Sequence, residues 1–512
     1  MLAQGGNAFD AAIAVSAALA VVEPQSSGVG GGGFYLLHFA KDSHDTFVDG
    51  RETAPAAAGR DMYLGPDGHP VPGASTSGPR SAGIPGEPAA WAWLASHYGR
   101  LPLSKSMAPA IRIAREGFPL YERMRVGLQY KQATLAKSPA AARVFLRDGA
   151  VPDIGTVIRQ PELATTLELI ARSPEAFYRG EFARRLVAEV REAGGIWAEE
   201  DLKNYRVIER APLIGSYRGA RIVSAPPPSS GGVVLLDSLN ILSGYDLGAA
   251  SPVLRRHLLI EAMRHSYRDR AEFLGDPDFV SIPVQVLTSS AYAAGQRESI
   301  RPDRATPSTV LRPVLDSGGD GNTTTHFSVL DRDGNRVGAT VSVNLFFGSA
   351  WVAPSSGVIL NDTMDDFSAA AGVPNAFQLI GAGANSIAPG KRPLSSMTPT
   401  FVENDRGLMI IGSPGGSTII SMVLEGALAW LDGANAKTIV SQGRIHHQYL
   451  PDVVRYEPGA LTPEEVAGLK ALGHTLSEGR TWGNMQVVTW DFASGQVEAA
   501  SDPRGIGAGL VY

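Results

Sequence analysis

The sequence predicts a globular protein of mixed α and β structure, and three observations predict it. Segments with helical periodicity alternate with short strand-like runs along the whole chain. Gly and Pro punctuate the joints between them. The balance of 44% hydrophobic to 19% charged residues is that of an ordinary globular protein. The chain has 512 residues, enough for a large buried core. Length alone fits about three domains of ~150 residues or one large sandwich.

Taken in order, Asn7–Val22 is the first element. It resembles the apolar part of a signal peptide, but no basic region precedes it and Asp10 interrupts it. With Asn7 as a cap and Pro24 close behind, it reads as a buried helix. The chain then begins almost at a core element, which leaves room for an upstream segment such as an export signal. Phe34–Phe39 and Thr46–Val48 read as short strands. Gln160–Arg172 and Gly180–Ala193 have helical periodicity, and Gly194-Gly195 ends the second. Pro226–Gly232 (PPPSSGG) reads as a rigid turn before an apolar segment. Leu254–Phe273 reads as a long helix. Arg301–Asn322, rich in Pro, Asp, Ser, Gly and Thr, reads as an exposed loop. After it, Thr325–Leu330 alternates as a strand, DRDGN makes a turn, and Arg336–Asn344 returns as a second strand. Thr324 therefore sits where an accessible loop meets a hairpin. The sequence has no internal repeat.

Composition excludes several classes. There are no cysteines, so disulfides, thiolate catalysis and Cys-based zinc sites are absent. The net charge is −6 with both signs mixed, which gives no reason to expect nucleic-acid binding. No run of about 18 apolar residues is present, so no membrane span is expected.

Two motifs have plainer readings than their first appearance. Gly28–Gly33 matches GxGxxG, but a dinucleotide site needs these glycines after a strand and before a helix. Here they follow a helix and open a strand, which favours a tight turn. His446-His447 lacks an HExxH context or a third ligand nearby, so the pair reads as structural or surface histidines rather than a metal site. No GxSxG elbow occurs.

Thr323-Thr324-Thr325-His326-Phe327-Ser328 at the loop–strand junction is different. Thr324–Ser328 is similar to the Thr-Thr-His-aromatic-Ser processing motif of the gamma-glutamyltransferase family of N-terminal-nucleophile hydrolases. Further stretches that resemble the family follow in order: GGNAFDAA (5–12), DGRETAP (49–55), PPPSSGG (226–232), MDDFS (364–368), KRPLSSMTPT (391–400), GSPGG (412–416), HHQYLPD (446–452) and SDPR (501–504). The resemblance covers nearly the whole chain.

The resemblance implies a four-layer αββα sandwich of α+β class, built jointly by two fragments. It implies self-cleavage between Thr323 and Thr324, giving a large fragment 1–323 and a small catalytic fragment 324–512 that stay associated. A threonine hydroxyl is a weak nucleophile without an adjacent base. The α-amine of an N-terminal threonine, with a reference pKa of about 7.7–8.0, supplies one once the chain is cut. Thr324 would then attack the γ-amide of a glutathione-like compound and pass the γ-glutamyl group to water or to an amino acid or peptide. No metal or organic cofactor is implied. By the same resemblance Gly415 and Gly416 form the oxyanion hole. Arg51 pairs with the substrate α-carboxylate, and Ser395 and Ser396 bind it too. Asp366 holds the α-ammonium with Asn344 as helper. The family's location implies a periplasmic or secreted protein.

Three positions depart from the family pattern. Ser342 stands where Thr is usual, which keeps the supporting hydroxyl without the β-branch that stiffens χ1. Thr363 stands where Gln or Glu contacts the α-ammonium, and is shorter. Phe377 replaces the tyrosine of a lid resembling Pro374–Gly381. Two rival readings follow. One is a cephalosporin or glutaryl acylase on the same scaffold, opposed by Arg51, Asp366 and the two serines and left open by Thr363. The other is a non-catalytic γ-glutamyl-binding homologue, opposed by intact Thr324 and the glycine pair.

Overall fold

The computed structural model describes residues 1–311, 324–369 and 373–512. Helices and sheets are both present, as the alternating patterns predict. The chain forms two compact units. One comprises Met1–Arg210, Thr323–Ala369 and Ile387–Pro393; the other comprises Ala211–Asn322, Ala370–Ser386 and Leu394–Tyr512. Neither unit coincides with a predicted fragment, because each takes residues from both sides of Thr324.

The first unit is built on an antiparallel five-stranded sheet. Its order is Ile208–Arg210, His44–Gly50, Gly32–Phe39, Arg336–Ser342, Thr325–Leu330. The helix Ala8–Val22 packs beside it, and Ala8, Ile13, Ala17 and Val21 lie in one apolar core with Tyr35, Val337 and Val341. Asp10, which breaks the apolar run, has a definite place in this helix. It is the third residue of a capping box: Asn7 accepts from the Asp10 N–H, and the Asp10 carboxylate accepts from the Asn7 N–H at 2.9 Å. It also accepts from the N–H groups of Arg100 and Leu101, which explains a buried carboxylate at the head of an apolar helix.

The strand after the glycine run starts at Gly32, two residues before the expected Phe34. Glycine has low strand propensity, but here it permits close approach of neighbouring chains. At Gly32 a Cβ would lie 2.5 Å from the carbonyl oxygen of Gly50. The returning strand of the hairpin ends at Ser342 rather than Asn344, because Asn344 turns to φ 79°.

The second unit is built on a six-stranded antiparallel sheet. Its order is Val497–Ser501, Gln486–Asp491, Gly407–Gly412, Thr400–Asn404, Ala220–Ser224, Leu213–Tyr217. The PPPSSGG turn leads into the helix Gly231–Leu242, which packs on the long helix Pro252–Phe273. The helices Pro161–Arg172 and Gly180–Glu192 of the first unit match their expected spans within a residue. Of the predicted loop 301–322, residues up to 311 are described and end in a short 3-10 turn, Ser308–Leu311. The remainder, with Thr323, lies outside the described residues. Among the described residues, no helix is long and apolar enough to cross a membrane.

Candidate active site

The hairpin register fixes the nucleophile's neighbour. Thr325 pairs with Val341 across the two strands, so Thr324 comes opposite Ser342. The hydroxyls of Thr324 and Ser342 are 3.1 Å apart, and both residues are buried. Ser342 Oγ also accepts from the Asn344 N–H at 2.9 Å, a bond made possible by the turn at Asn344. Asn344 Nδ2 donates to the Asp362 carbonyl, and the Asp362 carboxylate accepts from the Leu345 N–H. Thr324 itself has φ 152°, a backbone setting that L side chains rarely adopt.

His326, two residues on, is buried with both nitrogens engaged: Nδ1 with Thr340 Oγ1 at 2.8 Å and Nε2 with Ser328 Oγ at 3.2 Å. Burial pushes its pKa down to about 3, so the ring is neutral near pH 7. Thr325 donates its hydroxyl to Glu23 at 2.6 Å.

Arg51 follows the strand His44–Gly50 and is 1% exposed. Its guanidinium forms an ion pair with Asp366, lies 3.5 Å from Glu52, and donates from Nε to the Pro393 carbonyl at 3.2 Å. Arg51 and Asp366, 315 positions apart, are thus in contact. Glu52 is fully buried, and burial raises its pKa to about 7 against the lowering effect of Arg51. Asp365, the neighbour of Asp366, accepts from Ser75 Oγ at 2.6 Å.

Thr363 is fully buried, and its hydroxyl donates to Asn361 Oδ1 at 2.6 Å. Asn361 donates in turn to the carbonyls of Gly30 and Gly83 and accepts from the Gly83 N–H. Asn361 was not singled out by sequence reasoning. It ties the glycine run to the MDDFS segment, and no local motif announces it.

In the second unit, Ser395 and Ser396 are buried on a shelf made by the PPPSSGG turn. Ser229 and Ser395 form a parallel bridge. The Ser230 N–H and Oγ–H both donate to the Ser395 carbonyl at 2.8 Å, and Ser229 Oγ donates to the Met397 carbonyl at 2.7 Å. Arg270, from the long helix, donates to Ser230 Oγ at 3.0 Å and to Ser396 Oγ at 3.3 Å. Arg270 has no local motif, only its helical spacing, to mark it.

Gly415 and Gly416 follow the strand Gly407–Gly412, with φ of 148° and 56°. The Gly415 carbonyl accepts from the Thr418 N–H and Oγ–H. The ring of Phe377 lies against Gly416, where a Cβ would collide with it. Gln448 holds this cover by donating to the carbonyls of Phe377 and Gln378 at 3.3 and 3.0 Å.

The histidine pair has structural partners. His446 contacts Ser421 Oγ and Gln448 Oε1, and His447 contacts Asp452 at 3.1 Å. Burial lowers the pKa of both, that of His447 to about 4. Among the described residues, one group has ligand-type atoms close together: His257, Glu261 and His474. Its hydrogen bonds run one way. Arg264 donates to His474 Nδ1, His474 Nε2 donates to His257 Nδ1, and His257 Nε2 donates to the Arg301 carbonyl. Arg264 supplies the positive charge beside Glu261, at 3.2 Å.

Comparison with known proteins identifies the family of the chain. The Gamma-glutamyltranspeptidase family profile matches residues 1–512. The glutathione hydrolase proenzyme of Escherichia coli (strain K12) is 40% identical over 99% of this chain and 88% of its own length. That of Pseudomonas sp. (strain A14) is 43% identical over 93% and 84%. Among solved structures, a cephalosporin acylase from Bacillus halodurans covers 98% of this chain and 91% of its own, with TM-score 0.84 and 29% identity. Helicobacter pylori gamma-glutamyltranspeptidase covers 61% of this chain and 90% of its own, with TM-score 0.59 and 38% identity. The α+β fold is therefore that of the N-terminal-nucleophile hydrolases, and the chain belongs to the gamma-glutamyltranspeptidase family of enzymes.

Proposed function

We propose that Thr324 is the nucleophile for the γ-glutamyl amide cleavage and transfer that family membership gives this chain, with glutathione-like compounds as donors. The observation that carries this reading is the buried contact between the Thr324 and Ser342 hydroxyls, with Ser342 held by the Asn344 N–H. Ser342 orients the attacking oxygen and stabilises charge that develops on it. His326 is neutral and engaged on both nitrogens, so it supports the strand. The base is the α-amine that Thr324 gains on cleavage.

Cleavage starts with attack of the Thr324 hydroxyl on the Thr323 carbonyl. The peptide bond becomes an ester, the freed amine takes a proton, and water hydrolyses the ester. The φ of 152° at Thr324 supports this step, because a β-branched residue there is strained beside the bond to be broken. In turnover, the same hydroxyl attacks the donor's γ-carbonyl, the leaving amine takes a proton, and water or an amine acceptor releases the γ-glutamyl group. Arg51 takes the donor α-carboxylate with Ser395 and Ser396, Asp366 takes the α-ammonium with Asn344, and Gly415 and Gly416 supply the oxyanion hole. Binding a zwitterion replaces the Arg51–Asp366 pair with two pairs to the ligand. Thr363 serves chiefly to hold Asn361, with its proton on Asn361 Oδ1. Family relatives make a periplasmic or secreted location the working expectation.

The freshly made chain should convert from one band to two, of about 34 and 20 kDa by length, and the smaller should begin Thr-Thr-His-Phe. Thr324→Ala should abolish conversion and turnover; Thr324→Ser should slow both. Residues 1–323 co-expressed with a small fragment whose first residue is Thr324 should be active without self-cleavage. Acetylation of that first amine should abolish activity by removing its basicity. Full activity after confirmed acetylation would overturn the mechanism.

A further inference from the structure

We propose that Arg392 is a positioning residue for donor binding: it clamps the backbone of Arg51 and so fixes where the Arg51 guanidinium stands. This rests on the reading of Arg51 as the carboxylate-binding residue. In the cleaved enzyme the clamp acts across the break, since Arg51 belongs to residues 1–323 and Arg392 to residues 324–512.

The two arginines exchange hydrogen bonds. Arg392 Nη1 donates to the Arg51 carbonyl, while Arg51 Nε donates to the carbonyl of Pro393, the next residue after Arg392. The Arg51 carbonyl accepts a second bond, from Tyr205 Oη at 2.9 Å, and the Arg51 N–H donates to Asp49 Oδ1 at 2.9 Å. Both backbone polar groups of Arg51 are therefore held by side chains. The other Arg392 nitrogen, Nη2, donates to the Arg206 carbonyl at 2.6 Å, and the guanidinium lies 5.5 Å from the centre of the Tyr205 ring. Arg392 is 3% exposed, and Asp49 is fully buried. Asp49 also balances the charge: its carboxylate meets Arg392 Nη1 at 3.4 Å and Arg210 Nε at 2.8 Å.

The chemistry of the arginine fork explains the residue type. One planar group reaches the Arg51 and Arg206 carbonyls from two nitrogens at once, while its charge faces Asp49. A lysine would keep the charge but offers one nitrogen on a flexible stem, so it cannot bridge the two carbonyls in a fixed geometry. Arg51 would then keep its own ion pair with Asp366 but lose its fixed backbone. Small misplacement of a binding group weakens the ligand's fit far more than it weakens the fold.

The test measures kcat and KM for hydrolysis of γ-glutamyl-p-nitroanilide by the processed enzyme. Arg392→Lys should raise KM about tenfold while kcat stays within about twofold. Tyr205→Phe, which removes only the second hydrogen bond to the same carbonyl, should raise KM by about two- to threefold. In an Arg51→Ala background, Arg392→Lys should change kcat/KM by less than about twofold, since residues acting through one another are not additive. A KM within twofold of the parent for Arg392→Lys, or effects of Arg392→Lys and Arg51→Ala that multiply, would overturn the proposal. Should Arg392→Lys fail to fold or process, Tyr205→Phe decides, and an unchanged KM overturns it. If Arg51→Ala itself leaves KM unchanged, the reading of Arg51 fails and the clamp's role in binding fails with it. If Arg51→Ala raises KM and Arg392→Lys does not, the clamp alone fails.

Discussion

The groups assigned to the donor are held by opposite means in the two units. Around Arg51 the means are ionic: buried Arg51, Arg392 and Asp49 pair with half-buried Asp366 and Arg210, and Glu52 lies beside Arg51. Around Ser395, Ser396, Gly415 and Gly416 the contacts are mainly with hydroxyls, carbonyls and bare backbone, with Arg270 as a charged donor to Ser396. A buried charge that loses its partner is costly, commonly about 3–5 kcal/mol, whereas a neutral hydrogen bond contributes about 1 kcal/mol. The ionic region should therefore be vulnerable to deletion and the backbone region to added atoms.

The largest effect that would break this contrast is at Arg51. Arg51→Ala should lower kcat/KM for γ-glutamyl donors by about a thousandfold, mostly through KM, with self-cleavage retained. Steady-state kinetics beside a gel of the processed chain checks both. Next is Gly416→Ala, where the added Cβ meets the Phe377 ring at a φ of 56°. It should lower kcat about a hundredfold, in the range for a damaged oxyanion donor. Phe377→Ala in the same chain should recover part of that loss; no recovery would mean that backbone strain, not the ring, is the obstacle. Ser396→Ala should raise donor KM about tenfold or less, as for one hydrogen bond to a charged ligand. A loss as large as that of Arg51→Ala would erase the contrast.

The smallest effect on turnover concerns pH. Glu87 is fully buried; its Oε1 accepts from Ser16, Tyr35 and Trp91, while Oε2 has no partner, and burial raises its pKa from 4.5 to about 7. A carboxyl raised in the folded state stabilises it fully below pH 4.5, and the contribution is lost as pH rises through about 7. Glu425, in the second unit, is raised to about 8, so its contribution is lost over a higher range. Glu87→Gln keeps the accepting oxygen and should flatten the pH dependence of melting between pH 4.5 and 7, by at most about 3 kcal/mol. Calorimetry across that window checks it; an unchanged slope would show that Glu87 is ionised throughout.

Much of this was legible in the sequence where the relation was local. The turn DRDGN and the alternation on either side of it define the hairpin, and the hairpin register alone brings Thr324 opposite Ser342. Asn7 is legible as a cap and Asp10 as a break in the apolar run, while the capping-box role of Asp10 depends on where the helix starts. The strand begins two residues before Phe34, because the room that Gly32 and Gly33 must leave is set by Gly50 and Val341 on the paired strands, which are distant in sequence. The Arg51–Asp366 pair and the Asn361 bonds to Gly30 and Gly83 join segments some 280 to 330 residues apart. No periodicity records such contacts. The motifs marked these segments, but not which of their residues touch.

Both sheets take strands from each side of Thr324. The first combines Gly32–Phe39 with Arg336–Ser342, and the second combines Ala220–Ser224 with Thr400–Asn404. In each sheet the junction between what would become two polypeptides is a run of interior backbone hydrogen bonds. Neither polypeptide alone holds a finished sheet, and separating them would uncover a strand edge in both, a surface prone to pairing with other chains. Synthesis as one chain thus acts as an assembly jig: covalent continuity brings the strands to their partners, and once they have paired the link can be cut. Fragments made apart and mixed afterwards should aggregate in competition with assembling, whereas fragments that meet as they fold should not.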